Sequence, residues 1–361
     1  VSRSSRLLAL SGVALAAAVS SLSVASAHAR SPGAIGAPVR IVAALYERCV
    51  SIENPTGTDP MVVIHRRGGV RVGRVTVAIG DTMRPCTGTL RPKDTLEIRQ
   101  SGAQLRRFTV PALRLRLDPA TDRVRGWVPP ARGSAVVSLE HRIAGLEAHS
   151  EGGPVTPDAE GDFAWAPSSG GNLWHGDVAR LTWTSPTFDR VTLYASTPSV
   201  TVRIGSPDVT VTGRRADEVR VQVRRDGTVR AGYARRLPPY EVLTYGTLKR
   251  SGEPRAPRAG DTVVHSGITG AALTVLPNAM TVLTAGFGEL VTTCFPNGQA
   301  VVDVKDEYRS SHGVPPTGRL NVIGLVPSAG ELEPGDVILV GCQNRKGGAQ
   351  LKRFVVPAPG G

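Results

Sequence analysis

The side chains of this 361-residue chain that could do chemistry are four cysteines, seven histidines and a scatter of carboxylates. Cys49, Cys86, Cys294 and Cys342 form a small even set with no C-x₂₋₄-C spacing, so zinc is unsuited and disulfides are expected. The local pairing, Cys49 with Cys86 and Cys294 with Cys342, closes loops within compact stretches. The histidines, at 28, 65, 141, 149, 175, 265 and 312, include no H-E-x-x-H motif, and no G-x-S-x-G nucleophile elbow occurs. His175, beside Trp174, is the best single catalytic candidate, although a solvent-facing turn histidine is the simpler reading. A Ser/His/Asp site assembled in space from distant segments stays open. Two acidic clusters, Asp158, Glu160 and Asp162, and Asp303, Asp306 and Glu307, have the oxygen donors that calcium needs, but neither has the full spacing of a calcium loop. Turns that solvate themselves are the simpler reading, so neither metal nor cofactor is expected.

The net charge is +13, and its location is more informative than its size. Residues 38–112 carry 12 basic and 6 acidic side chains, 113–197 carry 8 and 10, 198–271 carry 13 and 7, and 272–361 carry 7 and 7. The most basic stretch holds an alternating run, Val219-Arg220-Val221-Gln222-Val223-Arg224, then Arg225-Asp226-Gly227, then Thr228-Val229-Arg230-Ala231. Period-2 alternation means one buried and one wet face. A three-residue turn with Gly227 left-handed would align Val223 with Val229 and Gln222 with Arg230. Arg220, Arg224 and Arg230 then make a wet basic stripe, and arginine forks bind phosphate and carboxylate bidentately. Anionic envelope polymer is the expected partner, with another surface protein as the alternative. Nucleic acid is a poor fit, because this stretch interleaves its charges with only Tyr233, Tyr240 and Tyr245. All four tryptophans, Trp127, Trp165, Trp174 and Trp183, fall in the acidic second stretch. There they form either a platform for sugar rings or a core, and burial is the expectation.

The elements that position these residues are strands. Gly and Pro together supply 69 residues, which implies many turns, and no stretch after residue 27 has convincing 3.6-residue periodicity. Self-comparison adds a repeat: residues 102–112 read GAQLRRFTVPA and residues 348–358 read GAQLKRFVVPA. Upstream, LRPKDTLEI from Leu90 parallels LEPGDVILV from Leu332, and Cys49 precedes Gly73 by the same 24 residues that separate Cys294 from Gly318. The first and last quarters are copies of one unit. Fainter versions of the same turn end at Asp177 and Asp261. Gly precedes the Asp in every case but the first, where Lys93 stands. The chain therefore reads as small antiparallel β-sandwiches over 38–112, 113–197, 198–271 and 272–361.

Residues 1–27 read as a secretory signal peptide: Arg3 and Arg6, an uncharged run from Leu7 to Ala25, and the small-x-small site Ala25-Ser26-Ala27. Residues 28–37 form a linker. Val1 is consistent with a literally translated bacterial start codon, and no Cys follows the cleavage site to carry a lipid. After the leader no run approaches the ~18 apolar residues that a span requires, so no integral membrane span is expected in the mature chain. The sortase-like Val314-Pro315-Pro316-Thr317-Gly318 is internal and without a hydrophobic tail, which predicts release or non-covalent retention at the envelope.

The order LRLRLDPATDRVRG from Leu113, then a strand near Ala135–Leu139, then TPDAEGDF from Thr156, then Gly176-Asp177-Val178, resembles the immunoglobulin-like repeats of bacterial surface and exported proteins. The resemblance implies an all-β fold of tandem Ig-like sandwiches and extracellular display, and it carries over no catalytic residue. The terminal copies depart from it in having cysteines, and the third unit lacks the G-x-F step. The expected function is that of a non-enzymatic exported protein binding an envelope component or a partner protein. The alternative is a secreted carbohydrate-active or other hydrolase on a β-sandwich, which would need a cleft above ~300 Å³ lined by converging carboxylates or histidines.

Overall fold

In the computed structural model, the residues described are 39–361 except 56, 80–82, 131–132, 169–171, 215–217, 239–240, 267–271, 276–279, 284–288, 294–298, 305–319, 325–334, 345 and 356–361. The leader and linker, Cys294, Asp306, Glu307 and the 314–318 segment lie outside them. All regular structure among the described residues is β, as the alternation requires. Strand β9 (Ser134–Ile143) shows the cause in its burial, which alternates along its whole length with Ala135, Val137, Leu139, His141 and Ile143 inward.

The first quarter contributes β1 (Arg40–Ala44), β2 (Val50–Glu53), β3 (Met61–Arg67), β4 (Val70–Val77), β5 (Thr95–Gln100) and β6 (Ala103–Thr109). The second contributes β7 (Arg114–Asp118), β8 (Arg123–Trp127), β9, β10 (Leu146–Pro154), β11 (Asp162–Trp165), β12 (Val178–Thr184) and β13 (Arg190–Ser196). The third contributes β14 (Ser199–Arg203), β15 (Asp208–Thr212), β16 (Glu218–Arg225), β17 (Thr228–Arg236), β18 (Leu243–Thr247), β19 (Lys249–Arg250), β20 (Glu253–Pro254) and β21 (Thr262–His265). The last contributes β22 (Ala272–Thr274), β23 (Met280–Leu283), β24 (Glu289–Thr293), β25 (Gln299–Val304), β26 (Leu320–Gly324), β27 (Val337–Gln343) and β28 (Gly348–Val355).

These strands form sheets that do not stop at the expected unit boundaries. β1 pairs in parallel with β13, which makes one sheet in the order β10-β9-β12-β13-β1-β2. β14 pairs in parallel with β28 in the same way, in the order β18-β15-β14-β28-β27-β25. The remaining sheets are β4-β3-β5-β6, β11-β8-β7, β20-β19-β17-β16-β21-β22 and β23-β24-β26. Burial follows the same pairing. One core runs from Val39 to Leu193 and includes Leu96, Leu139, Leu181 and Leu193, and a second runs from Val200 to Cys342 and includes Val202, Val221, Val263 and Val340. Strand exchange at an edge hides polar backbone that would otherwise invite pairing with other chains.

Cys49 and Cys86 are joined in a disulfide that ties the start of β2 to the segment before β5. Cys342, buried in the second core, is also disulfide-bonded.

Candidate binding surface

The Asp turn recurs along the chain with a shared backbone geometry. Lys93, Gly176, Gly260 and Gly335, each just before the Asp, all have positive φ, at 71°, 100°, 86° and 93°. Glycine is suited to that conformation, and Lys93 holds it despite its Cβ. In three copies the backbone closes identically. The residue before the Asp donates its N–H to the end of the last strand (Lys93 to Val110, Gly176 to Thr197, Gly260 to Val275), and that residue donates back to the Asp carbonyl. Each buried carboxylate also accepts the N–H three residues upstream, from Arg91 at 2.8 Å, Trp174 at 2.9 Å and Arg258 at 2.9 Å.

The side chains that meet these carboxylates differ. Asp94 receives Arg67 through two hydrogen bonds of 2.9 Å and the His65 ring at 2.7 Å. Asp177 receives the Arg142 N–H at 2.9 Å and the His141 ring at 3.0 Å. Asp261 receives Arg225 through bonds of 2.7 and 3.0 Å. Burial works against the charge on Asp94 and Asp261, but the guanidinium and backbone donors outweigh it and hold both below the usual carboxylate range. Burial likewise disfavours charge on His141, but Asp177 and Glu151 overcome it and raise its pKa.

His65–Asp94 and His141–Asp177 have the base and orienter of a hydrolytic triad but not its working geometry. The other nitrogen of His65 faces the Thr87 carbonyl at 3.4 Å, and that of His141 meets Glu151 at 2.9 Å. Neither ring therefore keeps a nitrogen for a nucleophile. His175 is half-buried rather than solvent-facing, with Nδ1 on the Pro198 carbonyl at 3.2 Å and its pKa lowered by burial. Among the described residues no three His, Cys, Asp or Glu side chains are placed to hold a metal ion. Asp158 is occupied in its own turn, accepting the N–H groups of Glu160 at 3.1 Å and Asp162 at 2.8 Å. A groove of 810 Å³ passes Asp158, Asp162 and Trp127, so a cleft of the size a hydrolase needs exists, but it brings arginines (Arg114, Arg116, Arg125) to those carboxylates. Trp183 is buried in the core, whereas Trp127, Trp165 and Trp174 are half-buried.

The basic stripe lies on β16, where Val219, Val221 and Val223 are buried and Arg220 and Arg224 are exposed. The turn differs from the three-residue form expected from periodicity. Arg225 pairs with Thr228 across a two-residue Asp226-Gly227 loop with φ of 50° and 72°, and a bulge follows, so that Val223 faces Ala231 and Gln222 faces Gly232. The primed turn fits the strand twist, and the bulge restores the apolar register that the turn alone would lose. Arg230 is the extra residue at that bulge. It does not face Gln222, and it is half-buried with its Nε enclosed.

Register brings other cations to the same face. Arg236 lies opposite Glu218, Ala234 opposite Arg220, Gly232 opposite Gln222, and Lys249 opposite Gly232. Directly paired residues share a face. The outer face of this sheet thus carries Arg220, Arg224, Arg236 and Lys249 around a low floor of Gly232 and Ala234, with Glu218 as the acid among these paired residues. Arg220 pairs with Glu218 at 2.8 Å in the open, and Arg224 bonds Gln222 at 2.6 Å. Arg236 and Lys249 make no ion pair among the described residues. Sequence alternation could not find these two, because they reach the face through the bulge and through the pairing of β19 with β17.

No protein-family model matches the chain, and none of the curated proteins does. Among solved structures it is similar to a tetra-tandem repeat from the extending region of a large adhesion protein, at 13% identity and a TM-score of 0.18, over 89% of this chain and 100% of that one. It is similar to the BSP domain of a biofilm-associated protein, at 7% identity and a TM-score of 0.21, over 88% of this chain and 94% of that one. It is also similar to a Group B Streptococcus pullulanase, at 11% identity and a TM-score of 0.18, over 42% of this chain and 22% of that one.

Proposed function

We propose that the chain is an exported, non-enzymatic protein of tandem Ig-like sandwiches that binds anionic envelope polymer through the outer face of the β16–β17 sheet. The units at 38–112, 113–197, 198–271 and 272–361 act two by two, each pair joined through a parallel edge contact. The observation that carries this reading is the register that sets Arg220, Arg224, Arg236 and Lys249 on one exposed face. A repeating polyanion suits such a face because it can meet several separated cations at once, whereas a single small anion would meet one. The engaged histidines and turn-bound carboxylates favour binding over hydrolysis. The test is sedimentation of the purified chain with envelope fragments at low and high ionic strength. Binding at low salt that fades as salt rises supports the reading, since exposed contacts are screened. Salt-independent binding would point instead to an apolar contact with a surface protein.

A further inference from the structure

A concave site apart from the basic face lies beside the first core, at the link from β13 to β14. The cavity has a volume of 760 Å³ and is bordered by the turn after β1, by β7, by the Asp177 turn, by the link from β13 to β14, and by the segments flanking β15 and β18. Its walls are fixed. Ser196 Oγ donates to the carbonyls of Gly213 at 3.0 Å and Val242 at 3.3 Å, and Thr197 Oγ1 donates to the Trp174 carbonyl at 2.8 Å. Leu117 and Val242 give it buried apolar surface. Tyr46, half-buried on its rim, sits at φ 72°, a conformation that aromatic residues rarely adopt and that concentrates at functional sites.

Two guanidinium groups also line this cavity, Arg116 from β7 and Arg214 from the segment after β15. Both are exposed, and neither makes a hydrogen bond among the described residues. The nearby carboxylate, Asp118, is engaged by Thr121 and by Arg125 at 3.7 Å, and it attracts Arg116 without a hydrogen bond between them. The lining thus joins two arginine forks that make no hydrogen bond, one of them (Arg116) shared with the rim of the neighbouring groove, an aromatic ring and an apolar wall at a size that holds a small molecule.

From this we infer that the cavity is a binding site for a small organic anion, one carboxylate or phosphate group on an apolar body, held by Arg116 and Arg214 with the body against Leu117 and Val242. The experiment is calorimetric titration of the full chain with 1-naphthoate, 1-naphthyl phosphate, inorganic phosphate and neutral 1-naphthylmethanol. One-to-one binding of at least one amphiphilic anion is expected, with inorganic phosphate and the neutral alcohol each weaker by about tenfold or more. Which anion binds tighter identifies the head group. Arg116→Gln with Arg214→Gln should weaken binding at least about tenfold, and Arg220→Ser with Arg224→Ser should leave it unchanged. Both pairs are exposed, so folding is retained. No binding of either amphiphile, equal binding by the Arg116/Arg214 variant, or equal loss in both variants would overturn the assignment.

Discussion

Replacing Asp177 by Ala should destabilise the sheet that contains β9 and β12. Its carboxylate accepts three N–H groups from three places: the Arg142 backbone, the Trp174 backbone and the His141 ring. Removing it strands two backbone donors in a turn where Asp177 itself is fully buried. Each buried donor left without an acceptor costs about 1–3 kcal/mol, and the lost bond from His141 adds to this, so the expected destabilisation is about 3–5 kcal/mol. Asn keeps one acceptor oxygen but turns an NH₂ towards the remaining donors, so Asp177→Asn should recover less than half of the loss. The assay is urea unfolding followed by intrinsic fluorescence. All four tryptophans lie in 113–197 and Trp174 is in the turn itself, so the signal reports on this region. A loss below about 1 kcal/mol for Asp177→Ala would refute the claim that the buried Asp fastens the turn.

Lys93→Gly should stabilise the chain by about 0.5–1 kcal/mol, because it relieves a left-handed lysine at the one Asp turn without glycine, and an unchanged or lower urea midpoint would contradict this. His265, buried in the second core's sheet, has its pKa pushed down by burial to about 4, below its unfolded value of about 6.5. The folded state therefore resists protonation, and this histidine removes up to about 3 kcal/mol of stability as pH falls from about 6.5 to about 4. His141 works in the opposite sense, since its raised pKa contributes stability at low pH that is lost as pH rises through its folded value. Unfolding free energies measured across this window should lose part of their acid sensitivity in His265→Gln and become more acid-sensitive in His141→Gln. Parallel profiles for the two variants would contradict the assignments.

Much of the fold was legible because its cues are local. The alternation in β9 and β16 and the Gly-Asp turns each arise from a few adjacent residues, and the structure reproduces the turn's hydrogen bonds in three copies. Non-local pairing was not legible. Nothing in Val42 or Val200 marks them as partners of Arg190 and Gly348, because parallel edge pairing uses backbone groups that every residue has. The same limit misplaced Arg230: the choice between turns depended on where the bulge fell, which is decided by packing beneath Val223 and Ala231. No sequence motif reveals the buried histidines, because their Asp partners lie 29 and 36 residues away.

The proposed affinity for envelope polymer depends on the position of the cations on the β16–β17 face, and not on net charge. Two variants with the same charge change separate the two: Arg220, Arg224, Arg236 and Lys249 all to Ser, and the exposed Arg71, Arg74, Arg107 and Arg123 all to Ser. Four exposed contacts of about 0.2–1 kcal/mol each predict a loss of envelope affinity of between about 4-fold and about 1,000-fold in the first variant at low salt. The second should sediment with envelope fragments as the parent does. Equal loss in both variants, or loss in neither, would contradict the account.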